Sequence, residues 1–188
     1  LCLAGGVALN CVVNGIILKN KIFDNIWIQP AAGDAGGSIG ACLAFWHLEK
    51  NQEREILEND GMQGSYLGPE YSQNEIEKIL TEIGAVYESL DEKEIILRTA
   101  NDLSKGEAIG WFQGRMEFGP RALGGRSILG DPRNPNMQKI LNLKVKYRES
   151  FRPFAPSVLS EDASSWFDID KDSPYMLFVA NVQKRHPD

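Results

Sequence analysis

The chain has 188 residues, of which 43% are hydrophobic and 24% are charged, and its formal net charge is −6. This composition is typical of a globular protein that can bury a core without disulfide or metal staples. The most apolar window, Ala35 to Trp46, is shorter than the roughly 20 residues that a membrane-spanning helix needs, so we expect no membrane partner.

Residues 1–50 predict two successive strand–helix units. A short apolar strand ends at Gly5 and Gly6, and helical periodicity follows from Ala8 to Lys19. The predicted buried face of that helix consists of Leu9, Val12, Val13, Ile16 and Ile17. A second strand, IWIQP, is stopped by proline, and a helix from about Gly37 to Glu49 follows a glycine-rich turn. Alternating strands and helices favour a parallel α/β arrangement.

The polar, glycine-dotted segment 51–68 predicts a linker between two domains. Two helices follow it, because Ser72 with Glu75 and Asp91 with Glu94 have the spacing of helix N-terminal caps. The run AIGWFQ predicts a buried strand.

Three further elements are predicted towards the end of the chain. Residues Pro135 to Tyr147 predict a helix, and FRPFAPSVL predicts an edge or bulged strand interrupted by its two prolines. The run SPYMLFVANV predicts the last strand. With the preceding elements, they complete an α/β fold.

Cysteine usage points to a reducing compartment. Cys2, Cys11 and Cys42 lie in apolar runs, with neither a CxxC pair nor a close histidine, so neither a disulfide framework nor a zinc site is indicated. We expect each to be a small buried hydrophobic side chain and the protein to be cytoplasmic.

The segment Gly114 to Ser127, GRMEFGPRALGGRS, is the most informative part of the chain, and we call it the arginine loop. Its glycines and proline prevent one uninterrupted helix. Arg115, Arg121 and Arg126 are six and then five residues apart, so they do not form an i, i+4 surface stripe. A loop that directs several guanidinium groups at one phosphate or carboxylate is the better interpretation. The alternative is that the arginines pair with surface acids.

Basic residues continue beyond this loop into the segment VKYRESFRP. Residues 106–157 contain nine basic and four acidic side chains, whereas the whole chain is acidic. This asymmetry indicates a local anion site rather than general binding of polyanions. We expect Lys144, Lys146, Arg148 and Arg152 to belong to that site, with Glu117 and Glu149 compensating or orienting individual cations.

Two glycine-rich turns near the start of the chain also follow predicted strands. In GGVALN, Gly5 and Gly6 would let a ligand approach the backbone at the positive end of a helix. In PAAGDAGGSIGA, Asp34 lies at a strand end, where α/β proteins place ligands, and its carboxylate suits a metal. A simple tight turn at the first motif, and Asp34 as a helix N-cap at the second, are the alternatives.

Taken together, these motifs resemble the NodU/CmcH-type O-carbamoyltransferase family over nearly the whole chain. The turns GGVALN and PAAGDAGGSIGA look like the end of that family's ASKHA-type domain, predicted here at residues 1–50. The long string from QGRMEFGPRALGGRS to FRPFAPSVL looks like its YrdC-like, twisted-sheet α/β domain, predicted at residues 69–188 after the linker.

The resemblance implies a two-step reaction. The YrdC-like domain joins carbamoyl phosphate to ATP as carbamoyl adenylate, and the ASKHA-type domain passes the carbamoyl group to a hydroxyl of a sugar or natural product. The family uses a divalent metal, usually Fe²⁺, for the transfer, and Mg²⁺ is the expected companion of ATP.

The resemblance also implies roles for individual residues. Catalytic roles fall to Arg115, Arg121 and Arg126. Contacts with carbamoyl phosphate or ATP fall to Gly114, Glu117, Gly119, Ser127, Lys144, Lys146, Arg148 and Arg152. Gly5, Gly6 and Asn10 would lie against the nucleotide, and Asp34 is similar to the family's metal-binding aspartate.

The chain departs from the family pattern in its N-terminal part. The family's ASKHA-type domain is much longer, and its metal-binding histidines lie upstream of the residues present here. One aspartate cannot hold a catalytic metal alone. We therefore expect this chain to be a slice that needs the missing N-terminal part of the same protein to hold a metal tightly and complete the transfer.

Two other functions are compatible with the basic segment. A YrdC-like domain could bind nucleic acid, but the arginine loop lacks interleaved exposed aromatic residues and the chain is acidic overall. A regulatory or scaffolding domain would use the arginines only in salt bridges. The salt dependence of RNA binding separates the first alternative from a small-molecule pocket.

Overall fold

The computed structural model describes residues 1–57 and 59–183. It has a mixed α/β fold, with four short strands and six α-helices in this part of the chain. In chain order these are β1 (Cys2–Leu3), α1 (Cys11–Lys19), β2 (Trp27–Ile28), α2 (Asp34–Ala44), α3 (Gln73–Glu82), α4 (Glu92–Ser104), β3 (Ile109–Phe112), β4 (Arg126–Leu129), α5 (Met137–Ile140) and α6 (Ala163–Trp166). Within the described ranges, no helix combines the length and apolar character that crossing a bilayer requires.

The chain forms two compact units that interleave in sequence. Among the described residues, the first contains Leu1–Gly68, Met116–Leu123 and residues 158–183, and the second contains Pro69–Arg115 and Gly124–Ser157. The predicted division into 1–50, 51–68 and 69–188 remains a prediction about the family's domains, and its last five residues lie outside the described part.

The first unit is built on two parallel strands. Cys2 is in register with Trp27 and Leu3 with Ile28. Its core consists of Ala8, Ile28, Ala32 and Leu177, with Leu3, Leu9, Ile26, Tyr175 and Phe178 packed against it. Each strand leads into one of the two glycine-rich turns, so the parallel pairing brings both turns to the same edge of the sheet.

The first predicted helix is divided at Asn10. A 3₁₀ turn spans Gly6–Leu9, and α1 begins at Cys11 because the Asn10 side chain accepts a hydrogen bond from the Val13 amide at 3.2 Å. The predicted apolar face of α1 is wrong, since Val12, Val13 and Ile16 are exposed and Asn14 is buried instead.

The buried face of α1 is polar because it contacts the backbone of residues 177–179. The Asn14 Nδ2 donates to the Ala8 and Leu177 carbonyls at 2.8 and 3.1 Å. The Val179 amide donates to the Cys11 carbonyl at 3.2 Å. The Ala8 and Leu177 carbonyls need hydrogen-bond donors, and an apolar side chain at position 14 could not supply one.

The prediction of a last strand over SPYMLFVANV is wrong. Residues 173–182 form no extended ladder, and only an isolated antiparallel bridge joins Phe167 to Val182. The strand predicted over FRPFAPSVL is also absent, because Pro153 and Pro156 lack the amide hydrogens that a ladder requires.

The cysteine prediction is wrong as well. Cys2 and Cys42 are exposed and Cys11 is only half-buried. Their segments present apolar faces that the core of the first unit does not cover, as the exposed Phe45 and Trp46 at the end of α2 also show.

The second unit contains the two predicted capped helices and an antiparallel strand pair. Ser72 and Glu75 form the complete capping box of α3, and the Asp91 side chain accepts from the Glu94 amide at the start of α4. The helix predicted at 135–147 is α5, continued by a π-helical turn over Leu141–Val145. Strand β3 pairs with β4, but it alternates between half-buried and exposed residues instead of being buried, because this sheet has only two strands.

A polar contact fastens the segment before the second unit to the core of the first. The Tyr175 hydroxyl donates to the Asp60 carboxylate and accepts from the Gly64 amide at 3.1 Å. Burial, followed by the hydrogen bond and charge of Asp60, raises the pKa of Tyr175 to about 12. Partial burial alone would raise the pKa of Asp60, but the Tyr175 hydroxyl and the Gly64 and Met62 amides outweigh it and lower that pKa.

We expect this contact to make stability depend on pH in the alkaline range. Because folding raises the tyrosine pKa from about 10, its contribution is fully present below pH 10 and is lost as the pH rises towards about 12. The variant Tyr175→Phe should lose about 1 kcal/mol at pH 8 and show a smaller fall between pH 10 and 12 than the parent. Urea unfolding at several pH values measures both, and parallel pH profiles of the two proteins would contradict the assignment.

Candidate anion-binding site

The three arginines of the arginine loop are divided between the two units. Arg121 lies in the inserted segment Met116–Leu123 of the first unit, whereas Arg115 and Arg126 belong to the second. That all three act on one ligand stays a prediction.

Backbone contacts hold the inserted segment in the first unit. The Gly68 amide donates to the Met116 carbonyl at 2.9 Å, and the Phe118 amide donates to the Ser65 carbonyl at 2.6 Å. The Glu117 carboxylate, 8% exposed, accepts from the Leu123 amide at 2.8 Å. Glu117 therefore stabilises the conformation of residues 117–123 through a buried hydrogen bond.

Gly119 brings the inserted segment against the second glycine-rich turn. Its φ of +125° is a conformation that residues with a side chain rarely adopt. A Cβ at this position would lie 3.2 Å from the Cβ of Ala31, which is fully buried. Only glycine fits this close approach without displacement.

Arg121 lies against the first glycine-rich turn. Its Nη2 donates to the Leu9 carbonyl at 2.8 Å. Its Nε is buried and has no hydrogen-bond partner among the described residues. The surroundings of Gly5 and Gly6 are open, since no atom lies within 4 Å of a Cβ placed at either residue.

Asn10 and Asp34 lie at the starts of α1 and α2. Asn10 caps α1, as described above. Asp34 is the exposed first residue of α2, whereas Gly33 is the N-cap and makes no side-chain bond, so Asp34 is not the cap. In the described part of the chain, no three His, Cys, Asp or Glu side chains form a group that could hold a metal ion. Asp34 does not by itself fit a metal, and a metal site there needs ligands beyond the described residues.

In the second unit, Arg126 stabilises the base of the arginine loop. Its Nη1 lies 3.1, 3.2 and 2.8 Å from the carbonyl oxygens of Gln113, Gly114 and Gly125. Its guanidinium stacks on the Phe112 ring, 3.3 Å from the ring centroid. The Ser127 Oγ accepts from the Gly124 amide at 3.0 Å. Arg126 and Ser127 thus fix the conformation of the residues that flank them.

Two of the basic residues do pair with acids. The Arg115 guanidinium lies 3.7 Å from the Glu70 carboxylate, and the Arg152 Nε donates to Glu149 at 3.1 Å. A hydrogen bond from the Glu149 backbone and the Arg152 guanidinium lower the pKa of Glu149. All four side chains are about half exposed, and such pairs contribute little stability and exchange readily with a competing anion.

Arg148 is held differently, by a buried amide. Asn142 is fully buried, and its Oδ1 accepts from the Arg148 Nε at 2.7 Å. Its Nδ2 donates to the carbonyls of Ser150 and Arg152 at 3.1 and 2.8 Å. The Phe154 ring centroid lies 5.1 Å from the Arg148 guanidinium carbon. One buried side chain therefore fixes both the turn of VKYRESFRP and the orientation of its central arginine.

Lys144 and Lys146 complete this basic segment. Both are exposed, and neither forms an ion pair with a carboxylate within residues 1–57 and 59–183. A guanidinium bonded to a buried amide, with two exposed ammonium groups in the same segment, suits an anion with several oxygens.

Sequence reasoning missed Asn142, Phe112 and Glu70. Asn142 is a polar residue directly between Leu141 and Leu143, which is the signal that could have found it. The stacking of Phe112 and the pairing of Glu70 have no comparable signal, because both depend on the packing of β3, β4 and the loop.

Comparison with known proteins identifies the family of the chain. The family model "Carbamoyltransferase N-terminus" matches residues 1–43, and "Carbamoyltransferase C-terminus" matches residues 100–188. The chain is 59% identical over 186 residues to the uncharacterized protein sll1178 of Synechocystis sp., covering 98% of this chain and 30% of that protein.

Two rhizobial proteins are also similar. Nodulation protein NolO of Bradyrhizobium diazoefficiens is 43% identical over 189 residues, which cover 98% of this chain and 34% of the relative. Nodulation protein U of Rhizobium fredii is 32% identical over 189 residues, with 95% and 28% covered. The chain thus spans about a third of the length of these curated relatives. It belongs to the carbamoyltransferase family, with residues 1–43 matching the family's N-terminal part and residues 100–188 its C-terminal part.

Proposed function

We propose that the second unit binds carbamoyl phosphate and ATP and forms carbamoyl adenylate, and that the full-length protein transfers the carbamoyl group to a hydroxyl of a sugar or natural product. The observation that carries this proposal is the fixed position of Arg148 on the buried Asn142, beside Lys144 and Lys146. Family membership supplies the carbamoyl chemistry.

The charges of the substrates explain why such a surface is needed. Carbamoyl phosphate and ATP are both polyanions, and their mutual repulsion must be screened before they react. Water first attacks the phosphorus of carbamoyl phosphate, and the bond from that phosphorus to the carbamoyl oxygen breaks, which gives carbamate and inorganic phosphate. A carbamate oxygen then forms a bond to the α-phosphorus of ATP. The bond from that phosphorus to the bridging oxygen breaks, and pyrophosphate leaves with its electron pair. Positioning and charge stabilisation are the protein's main contributions to this kind of step.

The guanidinium of Arg148 is suited to hold one phosphate in a fixed orientation. Its Nε is bonded to Asn142, which leaves its terminal nitrogens as donors to an incoming oxygen. Lys144 and Lys146 add charge without fixed geometry, and Arg115 and Arg152 become donors when a phosphate competes with Glu70 and Glu149. A divalent metal such as Fe²⁺, if the transfer uses one, would be held mainly by residues outside this chain.

The test is pyrophosphate release by the full-length protein supplied with ATP and carbamoyl phosphate. We expect release that requires both substrates, and Arg148→Gln should lower kcat/KM by about 100-fold, by analogy with the loss of one preorganised donor. Arg98→Gln is the matched control, because Arg98 is exposed on α4 and forms its ion pair with Glu88. Release that does not depend on carbamoyl phosphate, or RNA binding that weakens steeply with salt in its place, would overturn the proposal.

A further inference from the structure

Arg121 differs from the other arginines in its surroundings. One of its nitrogens is bonded to a neutral carbonyl, that of Leu9, and its Nε is buried without a partner in the described part of the chain. No carboxylate within residues 1–57 and 59–183 forms an ion pair with it. Arg121 is half-buried, and its positive charge has no counterion among these residues. A partly desolvated guanidinium without a counterion is stabilised by a bound anion that accepts from its terminal nitrogens.

The position of Arg121 is fixed by its segment. Glu117 bonds to the Leu123 amide, and the Tyr66 hydroxyl donates to the Leu123 carbonyl at 2.5 Å. Gly119 packs on the buried Ala31. The arginine is therefore carried to the first glycine-rich turn by a segment that contacts both N-terminal motifs.

The backbone that faces this region is accessible. Gly5 has a φ of +87°, and the space around Gly5 and Gly6 is open. Asn10 follows at the start of α1, where amide groups and the helix dipole favour negative charge. An exposed glycine backbone, a helix start and an arginine that lacks an acidic partner all favour a phosphate group.

We propose that Arg121 is an anion-binding residue of the first unit and binds the 5′-phosphate of a nucleotide at the Gly5–Asn10 turn, instead of acting with Arg115 and Arg126 on carbamoyl phosphate. The proposal rests on the proposed function, in which carbamoyl adenylate is the donor for the transfer step. It changes the predicted role of Arg121 from adenylation to transfer.

The chemistry of transfer explains what the arginine does. The acceptor hydroxyl oxygen forms a bond to the carbamoyl carbon, and the bond from that carbon to the phosphate oxygen breaks. The electron pair stays on the phosphate of the departing AMP, and the hydroxyl proton passes to solvent. The phosphate gains one negative charge in this step, which a guanidinium beside it stabilises more than it stabilises the intermediate.

The experiment compares two ligands in two variants of the full-length protein by calorimetry. We expect Arg121→Gln to weaken AMP binding at least tenfold and to change the Kd of carbamoyl phosphate by less than about twofold, since one charge-assisted contact is lost. We expect Arg115→Gln to weaken carbamoyl phosphate binding at least tenfold and to change the Kd of AMP by less than about twofold. The inference is overturned if the wild type does not bind AMP, if Arg121→Gln leaves the Kd of AMP unchanged, or if it weakens both ligands equally.

A lysine variant keeps the test decisive if Arg121→Gln does not fold. Thermal unfolding of each variant shows whether Arg121→Gln remains folded, and Arg121→Lys keeps the charge but not the planar fork. If the glutamine variant unfolds, about threefold weaker AMP binding in the lysine variant supports the inference, and unchanged AMP binding overturns it. A wild type that binds AMP but not carbamoyl phosphate contradicts the proposed function alone, because the AMP comparison still decides the role of Arg121.

Discussion

The variant Asn142→Leu is expected to lose about 2–4 kcal/mol of unfolding free energy. The Arg148 Nε and the Ser150 carbonyl lose their partner, and the Arg152 carbonyl keeps only its bond from Gln138, while the cavity stays filled. The Ser150 and Arg152 carbonyls and the Arg148 Nε all bond to this fully buried side chain. Each buried polar group left unpaired costs about 1–3 kcal/mol. Urea unfolding followed by circular dichroism measures the loss.

The same substitution should also weaken carbamoyl phosphate binding. Without the Asn142 Oδ1, the Arg148 side chain is no longer held at its Nε, and the turn at 150–152 loses two of its bonds. We expect the Kd to rise at least tenfold under conditions in which the variant is still folded.

Asn101→Leu provides the matched control for Asn142→Leu. Asn101 is an exposed residue of α4 in the same unit, so the same chemical change should alter stability by less than about 0.5 kcal/mol. A stability loss that is equal in the two leucine variants would show that Asn142 is not the central polar contact of this unit.

The variant Gly36→Ala is expected to destabilise the first unit by about 3 kcal/mol. A Cβ on Gly36 would lie 2.2 Å from the Ala31 carbonyl oxygen, a distance at which the backbone must move. Ala31 cannot yield easily, because it is fully buried and also packs against Gly119. Overpacking of this kind costs about 1–3 kcal/mol and more when backbone shifts.

Alanine at two neighbouring glycines of α2 is expected to change the free energy of unfolding in the opposite direction, so these variants serve as controls. Cβ atoms at Gly37 and Gly40 meet nothing within 4 Å, and alanine favours a helix over glycine by about 1 kcal/mol. Gly37→Ala and Gly40→Ala should therefore raise the free energy of unfolding slightly. If all three variants behave alike in urea unfolding, the close approach of Gly36 to Ala31 is not a feature of the folded protein.

Local signals in the sequence predicted the secondary structure where short-range interactions decide it. The capping residues Ser72 and Asp91 mark the starts of α3 and α4, because an N-cap bonds to amides three residues away. The glycine-rich turns and the two strands before them were also predicted, because turn residues and short apolar runs are local signals. The strands predicted after residue 150 were wrong, since their backbone partners lie far away in sequence, as the bond between Val179 and Cys11 shows.

Composition and motif order by themselves determined the α/β class, the family and the basic character of the segment around the arginine loop, because these depend on residue types and spacing alone. Only the tertiary structure decided how each cation is used. Arg121 bonds to Leu9, 112 residues away, Arg126 holds its own loop, and Arg148 is oriented by Asn142. The partner of each guanidinium is the backbone carbonyl or buried amide that chain packing brings next to it. Sequence spacing carries no information about such partners.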